Sequence, residues 1–326
     1  MSTRGPVLRV EDLHVWFDLP GGELHVVQGV SFELHAGERL GLVGESGCGK
    51  TTSILAVMGL LPPNASVAGR VYLNDRDILE GGESTVAPHR WKDVAMVFQG
   101  AMNAFNPVKR IGDQIAEPME LHRTAKGRAA RKRVAELFEM VGIAPERVDR
   151  YPHEFSGGMR QRAAIAMALA CNPQVLLADE PTTALDVMVQ AQILELLVQL
   201  SEELGLALVL VTHDLPVVAQ TCGRAAVMYA GRMVEDGTTT DLYHDPKHPY
   251  TRLLFSATPD LYAQEHIVSI PGVPPRLDRD IVGCPFQPRC DRAFAPCPTM
   301  APPFVTVAPR HAAACHLNDV ALERTQ

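Results

Sequence analysis

The stretch GLVGESGCGKTTS, residues 41 to 53, constrains this chain more than any other. An apolar run ends in three glycines and a lysine, and helix formers follow at once. Gly44, Gly47, Gly49, Lys50 and Thr51 fit the spacing G-x-x-x-x-G-K-[ST] of a loop that cradles phosphates. Glycine permits the positive-φ turns that aim successive backbone N–H groups inward, and the helix behind adds the positive end of its dipole. Glu45, Ser46, Cys48 and Thr52 complete the loop. Lys50 can reach the β- and γ-phosphates as a point charge, and the Thr51 hydroxyl can hold Mg²⁺. A dinucleotide loop is disfavoured, because no G-x-G-x-x-G opens the helix.

Other apolar runs also stop at polar residues. VAMVF (94 to 98) ends at Gln99, VLLA (175 to 178) at Asp179 and Glu180, and ALVLVT (207 to 212) at His213 and Asp214. Continuous apolar runs with helical segments between them predict a parallel sheet covered on both faces. Ligands of such sheets bind beyond the carboxyl ends of the strands, so Gln99, Asp179, Glu180 and His213 are expected to converge on the phosphate loop. Asp179 suits Mg²⁺, through water or Thr51. Glu180 suits the orientation or deprotonation of an attacking water. His213 is a candidate sensor of the γ-phosphate, whereas Gln99 taken singly is a commonplace strand-ending residue.

The 326 residues allow one large domain and a smaller appendage. A formal charge of −8 argues against a general nucleic-acid binder. No apolar run reaches the roughly 18 residues of a membrane span, and MSTRGPVLRV at the start lacks the apolar stretch of a signal peptide. The expectation is a cytoplasmic chain whose membrane role comes through a partner. The basic run HRTAKGRAARKR (122 to 133) reads as a solvated helix face, with attraction to anionic headgroups as the alternative.

FSGGMRQRAAIAMALA (155 to 170) contains a second anion site. Ser156 can cap a helix that begins with Gly157 and Gly158, leaving bare N–H groups at a helix start. Because the first loop already takes phosphates, this one makes sense if it serves the nucleotide of another subunit. At this point the chain resembles the ATP-binding cassette (ABC) ATPases. Phe155 to Met159 is similar to their signature loop, with Met159 where many members carry Gln. The other motifs stand in the family's order: Phe17 as the adenine-stacking aromatic, Gly44 to Thr52, Gln99, Asp179-Glu180, TALD (183 to 186) and His213.

The resemblance implies an α/β P-loop NTPase with a RecA-like parallel-sheet core, an antiparallel β subdomain and a helical subdomain inserted at about residues 100 to 165. It implies ATP as ligand, Mg²⁺ held by Thr51, Gln99 and Asp179, and Glu180, His213 and Gln99 as catalytic residues. It further implies a head-to-tail dimer in which each ATP lies between one phosphate loop and the opposite signature loop, with Asp186 at the dimer contact. The motion of such a dimer passes to membrane domains.

HPYTRLL (248 to 254), MVFQGAMNAFNPV (96 to 108), ADEPTTALDV (178 to 187) and VMYAGRMVEDG (227 to 237) are similar to the ATPases of dipeptide, oligopeptide and nickel importers. GCPFQPRC (283 to 290) matches the C-terminal extension of that family, and MRQR with PTTALDV resembles its D-type subunit more than its F-type. The implied function is ATP hydrolysis that powers peptide import from the cytoplasmic side of the membrane. The implied partners are an F-type cassette, two permease subunits and, indirectly, an extracytoplasmic solute-binding protein, with no nucleic acid. An importer of nickel or another small solute stays open, as does a soluble ABC ATPase of DNA repair or translation. Residues 1–260 are assigned to the nucleotide-binding domain and 261–326 to the extension. Residues near Asn103 to Pro107 are candidates for permease contact, although Phe105 serves equally well as core.

Of seven cysteines, Cys284, Cys290, Cys297 and Cys315 crowd the tail, separated by 5, 6 and 17 residues. In a reducing compartment such a group reads as metal binding before disulfides, and a proline-rich module of loops needs a staple. The spacing leaves open a zinc site, an iron–sulfur cluster, and unligated or disulfide-bonded thiols, though the short knuckles of zinc modules are absent. In the peptide-importer family, tails with this pattern look like [4Fe–4S] binders. His311 and His316 flank Cys315 as substitute ligands. The tail lies more than 200 residues beyond the phosphate loop, so changes in it are expected to leave nucleotide binding intact.

Overall fold

The structure is a computed structural model that describes residues 5–101, 104–256, 270–279 and 281–318. In chain order the strands are β1 (Leu8–Leu19), β2 (Gly22–Leu34), β3 (Arg39–Val43), β4 (Ala65–Leu73), β5 (Arg76–Asp77), β6 (Val94–Val97), β7 (Val175–Asp179), β8 (Ala207–Thr212), β9 (Arg224–Tyr229), β10 (Arg232–Thr238), β11 (Val305–Ala308) and β12 (His311–Ala313). The helices are α1 (Lys50–Val57), α2 (Glu83–Val86), α3 (Ile111–Leu121), α4 (Arg128–Met140), α5 (Gly157–Ala168), α6 (Val187–Leu204), α7 (Leu215–Thr221), α8 (Thr239–His244) and α9 (Pro249–Ser256). The chain divides into two units. The first is Met1–Leu8, Glu33–Arg39 and Tyr72–Leu210; the second is Arg9–Phe32, Leu40–Val71 and Val211–Gln326.

In the first unit β6 and β7 run parallel, from Val94 opposite Val175 to Val97 opposite Ala178. Every residue of both strands is buried, which is why each reads as a continuous apolar run without alternation. Each large aliphatic side chain enclosed there contributes roughly 1.5–3 kcal/mol. Helix α6 starts at Asp186, whose carboxylate accepts the Val189 N–H at 3.0 Å, and stops at Gly205 with φ 62°. Its buried Ile193, Leu196, Leu197 and Leu200 repeat at helical spacing and form one core-facing stripe.

Helices α3 and α4 fall within the segment expected to be helical, and α5 begins there. They bury Ile111, Ile115, Val134, Leu137 and Phe138, and Phe138 meets Phe155 edge to face at 6.2 Å. Phe105 is buried, so of its two readings the core one holds; Asn103 lies outside the described residues. Of the basic run, residues 122–127 connect α3 to α4 and only Arg128–Arg133 form the start of α4, where exposed Arg131 pairs with Asp149 and exposed Lys132 with Glu136.

The second unit carries the phosphate-loop strand. β9, which the sequence reading did not single out, lies parallel to β3, from Leu40 opposite Arg224 to Val43 opposite Val227. β10 folds back antiparallel on β9, β12 pairs with β10, and β11 pairs with β12. The cysteine-rich segment therefore extends the sheet that carries the phosphate loop, in the order β11-β12-β10-β9-β3. β2, β1 and β4 form part of another sheet in that order. No helix among the described residues is long and apolar enough to cross a membrane.

Candidate functional site

The phosphate loop joins β3 to α1. Gly44 has φ 150°, and a Cβ there would lie 2.2 Å from the Met228 carbonyl oxygen, so the strand end admits glycine alone. Lys50 is buried, and its Nζ donates to the carbonyls of Gly44 (2.8 Å) and Glu45 (3.0 Å). Cys48 Sγ is 3.7 Å from Nζ; burial pushes this thiol up, and the Lys50 charge opposes the shift. Ser46, Gly47 and Thr51 are exposed, and Thr52 is half-buried.

Side chains from far along the chain brace this loop, and the sequence reading missed them. The Glu45 N–H donates to the Tyr250 hydroxyl at 2.9 Å. Arg289 holds the Glu45 carboxylate with both arms, Nη1 to Oε2 at 2.6 Å and Nη2 to Oε1 at 2.9 Å. Nη1 also donates to the Tyr229 hydroxyl (3.2 Å), and Nε to the Pro271 carbonyl (2.7 Å). The Arg289 side chain is 4% exposed, and its bond to Glu45 holds the guanidinium even more firmly charged than usual.

His248, first residue of HPYTRLL, is enclosed, and burial lowers its pKa to about 3. It is therefore neutral, and its Nδ1 accepts the Tyr250 N–H at 3.0 Å. The buried Glu235 carboxylate accepts the N–H groups of Lys247 (2.6 Å) and His248 (2.9 Å), and lies 2.7 Å from His311 Nε2. HPYTRLL thus places the hydroxyl that receives the phosphate loop. That motif was visible in the sequence; its partner 205 residues away was not.

In the tail the Cys284 N–H donates to the Cys297 carbonyl at 2.8 Å, and Cys290 Sγ accepts the Arg292 N–H at 3.4 Å. Burial raises the thiols of Cys284, Cys290 and Cys315, the last to about 11, and the other three cysteines act electrostatically on Cys315. Among the described residues no group of three or more His, Cys, Asp or Glu stands ready to hold a metal ion. His311 is engaged by Glu235 instead of serving beside Cys315. His316 Nε2 is 2.9 Å from the Met300 carbonyl, while its Nδ1 is buried without a hydrogen-bond partner. The expectation that the tail stands apart from the phosphate loop is corrected by Arg289, the neighbour of Cys290, which holds Glu45.

The first unit brings Gln99 and Glu180 together. Gln99 Nε2 donates to Glu180 Oε2 at 2.8 Å, and Thr183 Oγ1 reaches the same oxygen at 3.0 Å. Glu180 itself takes φ 42°, a left-handed backbone that costs about 1–2 kcal/mol for a residue with a side chain. Asp179 is buried at the end of β7. Ser156 Oγ accepts the Met159 N–H at 3.2 Å and so caps α5. A Cβ on Gly158 would meet Val189 Cγ1 at 2.6 Å, so this signature glycine, flanked by Gly157, is also a packing requirement against α6. Asp186 caps α6, a duty the sequence reading did not assign to it. In the second unit exposed His213 follows β8, and Asp214 caps α7. Phe17 is half-buried in β1, while its neighbour Trp16 stacks on His25 at 4.5 Å.

Residues 27–183 match the ABC transporter family, and residues 234–297 match the oligopeptide/dipeptide transporter C-terminal region. The chain is 45% identical over 319 residues to the dipeptide transport ATP-binding protein DppD of Bacillus subtilis, covering 96% of this chain and 95% of that one. It is 46% identical over 312 residues to the oligopeptide transport ATP-binding protein OppD of Escherichia coli, covering 95% and 92%. Among solved structures, the ATP-binding cassette MJ0796 in its dimeric post-hydrolysis state, bound to ADP and Pi, superposes with TM-score 0.63 at 27% identity, covering 71% of this chain and 98% of that one. With its phosphate loop, oriented Glu180 and capped signature helix, this chain belongs to the ABC ATPases, in the family of dipeptide and oligopeptide transport ATP-binding proteins.

Proposed function

We propose that the chain hydrolyses ATP to drive import of di- or oligopeptides through a membrane ABC transporter. The observation that carries this reading is the Glu180 carboxylate, oriented by Gln99 and Thr183 at the end of β7. It stands in a chain similar over nearly its full length to peptide-transport ATP-binding proteins.

In this reading Phe17 stacks on adenine, and the loop from Gly44 to Thr52, with Lys50, takes the phosphates. Thr51, Gln99 and Asp179 offer oxygen donors that suit Mg²⁺, which when bound neutralises phosphate charge. Glu180 orients and deprotonates the attacking water, and His213 contacts the γ-phosphate. Ser156, Gly157, Gly158 and Met159 serve the nucleotide of a partner cassette of F type, with Asp186 at the contact. Two permease subunits receive the motion at the cytoplasmic face of the membrane. The nucleotide-binding domain spans 1–260 and the extension 261–326, with the boundary between them outside the described residues.

Cys284, Cys290, Cys297 and Cys315 are four partly or fully buried thiols that act on one another electrostatically; they match a [4Fe–4S] cluster in type and number, although they do not stand assembled as a metal group among the described residues. Such a cluster, when bound, supplies a covalent staple for a tail otherwise made largely of loops.

Glu180→Gln is expected to keep Mg-ATP binding and lower turnover by about 10²–10⁴-fold. Full turnover in that variant overturns the assignment. Anaerobically purified chain is expected to carry about four irons and four sulfides; stoichiometric zinc without iron overturns the cluster and leaves the ATPase reading standing.

A further inference from the structure

We propose that Arg289 is a positioning residue of the nucleotide site, through which the cysteine-rich module sets the affinity of the chain for nucleotide. The proposal rests on the ATP-site reading above.

Glu45 follows the first glycine of a loop built for a polyphosphate, and its side chain is a carboxylate. Left alone, that charge would oppose an anionic ligand, and more strongly where water is excluded. Arg289 removes the opposition. Its fork covers both Glu45 oxygens, and its remaining donors reach Tyr229 and Pro271, an array a lysine cannot match. The guanidinium also lies against the rings of Tyr229 (5.7 Å) and Phe286 (5.9 Å), so it has one place to be. With the Tyr250 hydroxyl on the Glu45 N–H, both the backbone and the side chain of Glu45 are tied to the C-terminal half of the unit.

Arg289 is in turn fixed by the cysteine loop. It closes the 3-10 turn Gln287–Arg289, and its N–H donates to the Phe286 carbonyl at 2.9 Å. The Gln287 N–H donates to the Cys284 carbonyl (3.0 Å), the Cys290 N–H to the Gln287 carbonyl (3.2 Å), and the Cys284 N–H to the Cys297 carbonyl (2.8 Å). A hydrogen-bonded path therefore runs from Cys297 through the turn to the phosphate loop. Disorder in the thiol-bearing loop loosens the Arg289 fork, frees the Glu45 charge and weakens nucleotide binding.

The test titrates the purified full chain with a fluorescent ATP analogue and Mg²⁺, with a melting curve for each variant. Arg289→Ala is expected to weaken affinity about tenfold or more, and Glu45→Gln/Arg289→Ala to recover to within about threefold of wild type, because the unpaired carboxylate is gone. Cys297→Ser, which sets a polar hydroxyl in place of a buried thiol and so disturbs the loop that holds the Cys297 carbonyl, is expected to weaken binding in the wild-type background and to have little effect in the double variant. Wild-type affinity in Arg289→Ala, a double variant as weak as the single, or an equal Cys297→Ser effect in both backgrounds overturns the proposal. If Arg289→Ala does not fold, the double variant decides: folding with recovered binding supports the tether, and failure of both overturns it. Lys50→Ala separates the two readings. Wild-type affinity there fails the nucleotide site itself, whereas weakened Lys50→Ala beside unaffected Arg289→Ala fails the tether alone.

Discussion

At the phosphate loop Lys50 is buried, and Glu45 is held from Tyr250 and Arg289, which lie 205 and 244 residues away. At the end of β7 the arrangement is lighter. Glu180 is oriented by Thr183, three residues on, and by an exposed Gln99, and the capping Ser156 of the signature helix is also exposed. A loop that must present N–H groups to a polyanion gains from being fixed beforehand, since any ordering left until binding weakens affinity. In the proposed reading Glu180 meets water and needs access, and a local turn with strained backbone suffices to aim it. The two regions thus divide the work between distant bracing and local geometry.

Lys50→Ala challenges the braced side most directly. It removes the buried point charge of the loop and is expected to weaken Mg-ATP affinity by roughly two orders of magnitude, measured by titration of the isolated chain. Unchanged affinity would break the contrast at its base.

His248 tests whether the bracing itself depends on pH. Its folded pKa of about 3 lies below the ordinary value of 6.5. Between those values the unfolded chain binds the extra proton. The stabilisation is therefore complete above about pH 6.5 and is lost as pH falls toward 3, by on the order of 2 kcal/mol from pH 7 to pH 5. Protonation would also set a second donor against the Tyr250 N–H that His248 Nδ1 now accepts. His248→Gln keeps an acceptor without the titration, so its unfolding profile by urea titration is expected to be flatter over that range. Parallel profiles would show that His248 does not carry the acid sensitivity.

The smallest effect is expected on the lighter side. Ser156→Ala removes the cap of α5 and is expected to cost about 1 kcal/mol of stability with no change in ATP binding by the isolated chain. Turnover of the assembled transporter should fall further than that loss explains. An equal fall in isolated binding would return the signature loop to the chain's own nucleotide. Substitution of Gly158 is a poorer probe, because its side chain would strike Val189 whatever the partner does.

Much of this was legible along the chain. The strand–loop–helix order around Gly44 to Thr51, the burial of β7 and β8, and the Ser156 cap follow from patterns spanning a few residues, where periodicity and turn chemistry act. Phe105 was undecided in the sequence because an aromatic in a loop has the same composition whether it faces core or partner; its burial answered the question. Gly158 read as an anion-binding glycine, and the structure added a steric reason from α6.

By itself the sequence determined the motifs of the candidate nucleotide site: which residue types suit phosphate, metal and water, and the strand ends on which they stand. Local hydrogen bonds and burial of apolar runs enforce those features wherever the chain goes. Only the tertiary structure decided that a histidine would be kept neutral to seat Tyr250 and that an arginine beside a cysteine would neutralise Glu45. Such pairs depend on β9, β10 and β12 lining up beside β3, and no local signal encodes contacts that exist only after distant strands have paired.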